Sequence, residues 1–444
     1  MTLISLASVA FAGAAAAMGP IVALAALAAV GTALAALVRP FIAALILVGV
    51  VPAISGLQRG LPVPGLRLSE VAIVGLSAVV LVTADRRDAA PWGRLDWLTL
   101  GYALTTAILG IGNTLARGDP LTDNLGEALG PFQFLLLYRA TVTALNSSGE
   151  CRIALRVLLL ASIPVSLAAT AQGLGLGSDI FLQATGFDRA AEPGRATGPF
   201  PHWHELGGFM FQIVLLSVAV WLSGSQRILP QWMVVGAMAL ATLAVIQTAT
   251  LGPIIAAVVG ALALSVWYGR MGGFALWVAA FAVAGALLFG SLFSARLDQQ
   301  YKPPPGREAT GIVPYTLAYR YEVWTEQYLP AAAQRLTTGY GPGTPPEVTW
   351  DYTESTYIEM LIRGGLPLLL VFVGLMWAFV SVAVRATRAH DPDHRALGRT
   401  MVLVTALYVP LQLVAPYLVL VGAPHVLWAL FGVLVGWRKS ETRP

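Results

Sequence analysis

Three acidic side chains are concentrated in residues 339–354, where a loop rich in glycine and proline leads into an apolar segment that extends to residue 370. They are Glu347, Asp351 and Glu354, and Glu354 directly precedes the apolar run. Charge at the edge of the hydrocarbon is costly for a membrane protein and usually serves a function. Carboxylates in such a place can exchange protons with a substrate. We therefore expect a reactive centre at this loop-to-membrane transition.

A helix cap is the simpler interpretation of this acidic group. Thr353 or Ser355 could be the N-cap, and a carboxylate such as Glu354 is stabilised near the positive end of a helix. Glu359 and Arg363 are spaced i, i+4 and could form no more than an ion pair inside a helix bundle. Both nevertheless lie one to two turns inside the apolar segment, where ionisable side chains usually have a functional role. The residues alone leave both interpretations open.

A second polar group precedes another apolar segment and contains Arg195, His202, His204 and Glu205. Arginine offers two parallel N–H donors to a phosphate, and the N-terminus of the following helix adds a partial positive charge. These features favour an anion site. The alternative is an interfacial anchor, in which Trp203 lies at headgroup depth and the histidines are solvated.

Arg320 is a third candidate, within the sequence AYRYEVW. The surrounding residues 315–336 have the apolar spacing of an amphipathic helix on the membrane surface or over the mouth of a cavity. Arg320 could also pair with Glu322 or Glu326, or bind lipid headgroups. Arg335 in the same segment is expected to be solvated.

The elements that position these residues must be membrane helices. The chain has 444 residues, of which 57% are hydrophobic and 11% charged, whereas a soluble globule has about 25% charged residues. The single cysteine, Cys151, excludes an intramolecular disulfide, and no Cys/His cluster has the spacing of a zinc site.

An all-α protein with roughly 12–14 transmembrane helices is predicted from apolar runs that can cross about 30 Å of hydrocarbon. The candidate runs are residues 3–18, 20–38, 41–56, 69–84, 95–115, 127–145, 153–177, 205–223, 230–249, 251–268, 273–293, 355–384, 399–420 and 423–437.

Arginine and lysine in the short loops predict the orientation, because such loops stay in the cytoplasm when they are basic. Both termini are then cytoplasmic, the first helix is retained, and two longer polar stretches face outward. The predicted organisation is a helix bundle at 1–294 with an outer loop at about 178–204, an extracytoplasmic segment at 295–353 and C-terminal helices at 354–444. The net charge of +4 comes mainly from arginines spread over many loops and does not indicate binding to nucleic acid.

Three motifs resemble the O-antigen ligase and O-antigen polymerase superfamily of bacterial surface-polysaccharide enzymes. Residues 195–204, RATGPFPHWH, are similar to the family pattern Arg-x-x-Gly-x-Phe followed by a polar helix start. Residues 320–341 are similar to its arginine and aromatic pair followed by a Gly-x-Gly turn. Residues 354–366 resemble its closing pattern, in which a polar residue and a tyrosine precede a glycine-containing helix. The resemblance extends over about residues 190–385.

The resemblance implies a membrane glycosyltransferase of the GT-C type that uses a glycan on a polyprenyl diphosphate. Arg195 and Arg320 would hold the diphosphate, and Glu354 would accept the proton of an attacking sugar hydroxyl, with inversion at the transferred sugar. No metal or other cofactor is expected. The expected catalytic residue is Glu354, and the expected substrate-binding residues are Arg195, Arg320, His202, His204, Tyr357 and Arg363.

Two positions depart from the family pattern. Glu354 occupies the place where ligases carry histidine. Many members of the family have a Ser-Arg pair between two spans, whereas residues 248–252 of this chain, TATLG, contain no arginine. His202, His204 or Arg363 would have to replace that donor.

The glutamate favours a polymerase that joins repeat units over a ligase that transfers the glycan to lipid A-core. A lipid-linked oligosaccharide flippase and an inactive scaffold subunit are also compatible with the sequence. The flippase is disfavoured because the charges gather on the outer face late in the chain.

The expected partners are the lipid-linked donor, a glycan acceptor (a lipid-linked repeat unit or lipid A-core), membrane lipids and further polysaccharide-assembly proteins. The expected location is the bacterial inner membrane, with the active site facing the periplasm.

Overall fold

The computed structural model describes residues 35–59, 66–83, 90–176, 185–186, 195–302, 314–349, 352–419 and 421–441. Every element of regular structure in these ranges is helical. Short π-helical turns interrupt α1 and join α10 to α11. The helices are α1 (Pro40–Ile54), α2 (Leu68–Thr83), α3 (Arg94–Arg117), α4 (Leu121–Ala144), α5 (Ser148–Gly173), α6 (Trp203–Ser223), α7 (Gln231–Gln247), α8 (Leu251–Tyr268), α9 (Met271–Tyr301), α10 (Tyr315–Val323), α11 (Leu329–Gln334), α12 (Thr356–Ala386), α13 (Pro392–Leu411) and α14 (Ala423–Glu441).

The described helices confirm an all-α, multi-pass membrane architecture. Five of them, α3, α5, α6, α8 and α12, are long and apolar enough to cross a bilayer, and α9 is a sixth if its two halves, bent by 82°, form one span. The helices α1, α2 and α7 are apolar but shorter. The expected 12–14 spans also include more polar helices. The expected segment at residues 3–18 lies outside the described residues, as does most of the one at 20–38.

Helix α6 lies at the centre of the bundle. Of its most apolar 18-residue stretch, 89% is buried inside the protein, against 39–44% for the other four long spans. A helix that is apolar on all sides is stable only when other helices surround it, and α6 packs against α5, α7, α8, α13 and α14. Its buried Gln212 donates from Nε2 to the Tyr408 hydroxyl (2.7 Å) and to the Ala423 carbonyl (2.9 Å). These bonds tie the middle of α6 to α13 and to the start of α14.

Consecutive long helices alternate in direction, so two sets of helix ends meet at one end of the bundle. They are the C-termini of α3, α5, α7 and α13 and the N-termini of α4, α6, α8, α12 and α14. We call this the cavity end, because the two cavities described below lie there. The arginines that the loop rule assigned to the cytoplasm lie at the opposite helix ends. Those within the described residues are Arg39, Arg94, Arg152, Arg156, Arg227, Arg270, Arg385, Arg388, Arg395, Arg399 and Arg438.

The predicted outer segment at 295–353 begins inside α9 and contains α10 and α11. The helix expected over 315–336 is present from Tyr315 to Gln334, with a π-helical turn in its middle. Residues 303–313 and 350–351, which include three consecutive prolines at 303–305 and Asp351, lie outside the described residues.

Helix α12 is broken at Gly364 and Gly365, and the outer segment docks onto the break. Gly365 has a φ of 63°, in the left-handed region that glycine tolerates best. The break leaves backbone groups without helical partners, and inside a membrane domain these groups must be paired by other protein groups. The amides of residues 340 and 341 donate to the carbonyls of residues 362 and 363 at 2.7 and 2.9 Å, and the amide of residue 366 donates to Leu336 at 2.7 Å.

We predict that Gly365→Ala lowers the free energy of unfolding by at least about 1–3 kcal/mol, because a Cβ at this φ is strained and would collide with the Leu336 carbonyl. The control is Gly374→Ala in the same helix, where an added Cβ would lie 3.4 Å from Leu98, at ordinary contact distance. Thermal unfolding of the detergent-solubilised protein measures both. Equal stability of the two variants would contradict the prediction.

Candidate functional site

A cavity of about 440 Å³ lies at the cavity end, beneath α10. The start of α6, the end of α9, α10 and residues 352–354 line it. Three arginines and one glutamate are among the described residues of its wall, so we call it the arginine cavity. It brings together five of the seven residues expected from the sequence, which are Arg195, His202, His204, Arg320 and Glu354.

Arg320 and Glu354 form an ion pair in the wall of this cavity. Nε and Nη2 of Arg320 donate to Oε2 of Glu354 at 2.9 and 2.5 Å. The two side chains are 20% and 25% exposed, so they are shielded but reachable from the cavity.

The backbone around Glu354 holds its side chain toward Arg320. Glu354 has a φ of 54°, which is unusual for a residue with a side chain and costs about 1–3 kcal/mol. The preceding Thr353 carbonyl accepts a hydrogen bond of 2.7 Å from the Trp324 indole in the π-helical turn after α10. Ser355 is the N-cap of α12, as one interpretation of the sequence proposed, but its hydroxyl donates to the Gln412 carbonyl (3.3 Å) and does not cap the helix. Both neighbours of Glu354 are therefore tied to other parts of the fold.

Arg195 is buried and held by the connection between α7 and α8. Its Nε donates to the Thr248 carbonyl at 3.0 Å, and its Nη2 donates to the Thr250 hydroxyl at 3.2 Å. Its guanidinium lies over the Trp203 ring, 3.5 Å from the ring centroid. Ala249, between the two threonines, has a φ of 46°. The TATLG segment, which lacks the arginine of the family pattern, thus serves to position Arg195.

The two histidines begin α6. His202 is its N-cap: Nδ1 accepts from the His204 amide at 3.2 Å, while the His202 amide donates to Glu205 at 3.2 Å. The His202 and His204 rings are stacked with centroids 4.7 Å apart. Burial raises the pKa of the Tyr417 hydroxyl, so this group stays protonated beside Nδ1 of His204, 3.4 Å away. His202 therefore caps a helix and lines the cavity.

Sequence reasoning missed several residues of this wall. Arg296, near the end of α9, is the third arginine, and Tyr315 and Tyr319 of α10 line the cavity with stacked rings 6.1 Å apart. The i, i+4 spacing of these tyrosines was a usable signal, because such residues share one face of a helix. Arg296 stands at the start of the predicted outer segment, but its sequence neighbours do not distinguish it from a solvated arginine.

Tyr357 and Arg363 lie elsewhere. The Tyr357 hydroxyl donates to the Val409 carbonyl at 2.9 Å. Arg363 forms ion pairs with Glu359 (2.8 Å) and Glu127 (2.9 Å). The pair with Glu359 was expected from the i, i+4 spacing. Arg363 lines a separate cavity of about 420 Å³, which we call the second cavity.

No group of three or more His, Cys, Asp or Glu side chains in the described part of the chain is arranged to hold a metal ion. The fold and the cavity define a multi-pass membrane protein with an arginine-lined cavity at one end of its helix bundle.

Comparison with known families agrees with the motifs. Residues 236–373 match the family model described as O-antigen ligase. The matched region runs from α7 to α12 and contains Arg296, Arg320 and Glu354, whereas Arg195 precedes it. This match confirms the resemblance to the O-antigen ligase and polymerase superfamily. No curated protein matches the chain.

We predict that the arginine cavity binds inorganic pyrophosphate and that Arg320→Gln weakens this binding at least about tenfold, because a hydrogen bond to a charged group contributes about 1.5–3 kcal/mol. Isothermal titration of the detergent-solubilised protein measures the affinity. The control is Arg335→Gln, since Arg335 is exposed in the same segment and lies over Tyr340, outside the cavity wall. An equal loss in both variants would show that pyrophosphate binds nonspecifically to the outer segment.

Proposed function

We propose that this protein is a membrane glycosyltransferase that polymerises polysaccharide repeat units carried on polyprenyl diphosphate. The main support is the ion pair of Arg320 with Glu354 in a cavity that two further arginines line. A cationic wall beside a carboxylate is what displacement of a diphosphate by a sugar hydroxyl requires. Lipid-linked repeat units would be both donor and acceptor, and membrane lipids and other polysaccharide-assembly proteins would surround the enzyme.

The arginines would stabilise the leaving diphosphate. Negative charge develops on the phosphate oxygens as the sugar departs, and donors that are already oriented stabilise this charge without having to reorganise. Arg195 meets this requirement best, since its guanidinium is buried and fixed by two hydrogen bonds and the Trp203 ring. Arg320 would bind the diphosphate next to the acceptor.

Glu354 would accept the proton. Within the described structure, both hydrogen bonds to this carboxylate end on Oε2, so Oε1 can receive a proton from the acceptor hydroxyl. The acceptor oxygen bonds to the anomeric carbon as the bond from that carbon to the phosphate oxygen breaks. The bonding electrons pass to the diphosphate and the proton passes to Glu354. A single displacement of this kind inverts the anomeric configuration.

The site would face the periplasm from the inner membrane. The arginine-rich helix ends lie opposite the cavity end, and basic short loops stay in the cytoplasm. A lipid-linked donor in the outer leaflet would then present its diphosphate at the level of the cavity.

A ligase that transfers the glycan to lipid A-core is the second candidate, because the matching family model is described as O-antigen ligase. The two activities share the donor and the displacement chemistry and differ in the acceptor. A flippase is less well supported, since the charges of the arginine cavity are collected at one end of the bundle.

We predict that Glu354→Gln lowers polymer formation about 10²–10⁴-fold, the usual contribution of a general base. The variant would be expressed in a strain that lacks the chromosomal copy, with protein level in membranes measured in parallel. Glu326→Gln is the control, because Glu326 is exposed on the same outer segment and does not line the arginine cavity. Partial rescue by Glu354→His would link the position to the ligase pattern. Full activity of Glu354→Gln would exclude the carboxylate as the base.

We predict that deletion of the gene leaves surface glycans of single repeat units, because only chain extension is lost. Gel electrophoresis of the surface polysaccharide and mass spectrometry of extracted polyprenyl lipids measure this. If long chains instead accumulate on polyprenyl diphosphate without transfer to lipid A-core, the protein is a ligase.

A further inference from the structure

The second cavity, of about 420 Å³, lies between α3, α4 and α12 and is closed on one side by the loop at residues 342–345. This volume is in the range of small-ligand sites. Its wall mixes aromatic rings with charged side chains. Among the described residues of the wall, the charged ones are Arg59, Arg67, Arg363, Glu127, Glu205 and Glu359.

Three arginines and three glutamates thus carry the charge of this wall, and four of these six side chains form ion pairs. Arg363 bridges Glu359 of its own helix and Glu127 of α4 at 2.8 and 2.9 Å. Arg59 pairs with Glu70 of α2 at 3.0 Å. The described wall therefore presents oriented carboxylate acceptors and guanidinium donors with little net charge.

The arginine cavity differs in this respect. Its described wall carries three arginines and one glutamate, which suits a multiply charged anion. In the second cavity, an anion would meet the carboxylates of the wall, and juxtaposed like charges are unfavourable. A sugar hydroxyl both donates and accepts, so it can bond to carboxylates and guanidinium groups together. The balance of charge therefore favours a neutral, hydroxyl-rich ligand in the second cavity.

The two cavities share a wall next to the expected base. Tyr352 and Thr353 line both of them, and Glu354 follows directly in the chain. A sugar bound in the second cavity would thus lie one residue away from the site of proton transfer.

We propose that the second cavity binds the acceptor as a neutral, hydroxyl-rich sugar unit, with Glu127, Glu359 and Arg363 as its hydrogen-bonding groups. This assignment of the acceptor rests on the proposed function, whereas the binding of a neutral sugar can be tested without the reaction.

The test is saturation-transfer NMR of the full chain in lipid nanodiscs with free glucose, galactose, rhamnose, N-acetylglucosamine and glucuronate. We expect signals from at least one neutral sugar, weaker signals from glucuronate, and no loss of either when pyrophosphate is added. Absence of signal from every neutral sugar, displacement by pyrophosphate, or stronger binding of glucuronate would overturn the proposal.

Two variants localise the binding. Glu127→Gln is isosteric, and folding should survive because the Glu127 side chain is 48% exposed. The sugar signal should fall at least about fivefold, because one hydrogen bond to a charged group is lost. Gly130→Leu adds a side chain to the wall at a position where a Cβ meets nothing within 4 Å, and it should abolish the signal by filling the cavity. Glu326→Gln is the control for Glu127→Gln, and Gly112→Leu is the control for Gly130→Leu. A Cβ at Gly112 also meets nothing within 4 Å, but Gly112 lies outside the wall of the second cavity. Unchanged signals in both cavity variants would place the sugar elsewhere.

The two proposals can fail separately. If Glu354→Gln loses product but no neutral sugar binds, the glycosyltransferase assignment stands and the acceptor site is wrong. If neutral sugar binding depends on Glu127 while Glu354→Gln remains active, the second cavity is a sugar site and the catalytic assignment is wrong.

Discussion

The break in α12 leaves backbone carbonyls without helical partners inside a membrane domain, where no bulk water is available to satisfy them. Two of them, at residues 362 and 363, accept hydrogen bonds from the amides of residues 340 and 341. The amide of residue 366 donates in the opposite sense, to Leu336. Pairing of these groups requires the outer segment to dock in one register on α12. Residues 336–341 of the outer segment are therefore part of the bundle's hydrogen bonding.

Docking at the break determines both cavities. The segment that pairs with α12 also carries α10, whose Arg320 reaches Glu354 just before the first turn of α12. The loop that follows the paired residues closes the second cavity, against the Arg363 side chain of α12. Tyr352 and Thr353, between loop and helix, then belong to both walls. One backbone constraint thus sets the distance between the two cavities.

The described walls of the two cavities differ in their balance of positive and negative side chains. Buried or half-buried charge is stable only when paired or when a ligand of opposite charge completes the site. The second cavity achieves pairing internally, through Arg363 with Glu359 and Glu127. The described wall of the arginine cavity carries three arginines and one glutamate, which supports the anionic ligand that we propose for it. Two non-glycine residues with positive φ, Ala249 and Glu354, lie at the backbone that positions Arg195 and Glu354, the groups to which we assign a function in this cavity.

The sequence by itself determined the class of the protein and the places where chemistry is possible. Composition and apolar runs depend only on neighbouring residues, so they predicted a multi-pass α-helical protein, the helix after residue 315 and the i, i+4 pair of Glu359 with Arg363. The same local reasoning found the polar groups at the starts of α6 and α12 because charge next to a membrane segment is conspicuous.

Only the tertiary structure decided how these groups are combined. Arg320 and Glu354 are 34 residues apart, and Arg195 is held by residues more than 50 positions away. Such contacts depend on which helix ends meet, and short-range periodicity does not encode that. For the same reason, Arg363 was expected near the diphosphate but lies in the second cavity, where the turn of α12 directs it toward α4. Arg296 lines the arginine cavity because α9 ends beside α10, and the residues next to Arg296 in the sequence do not predict that contact.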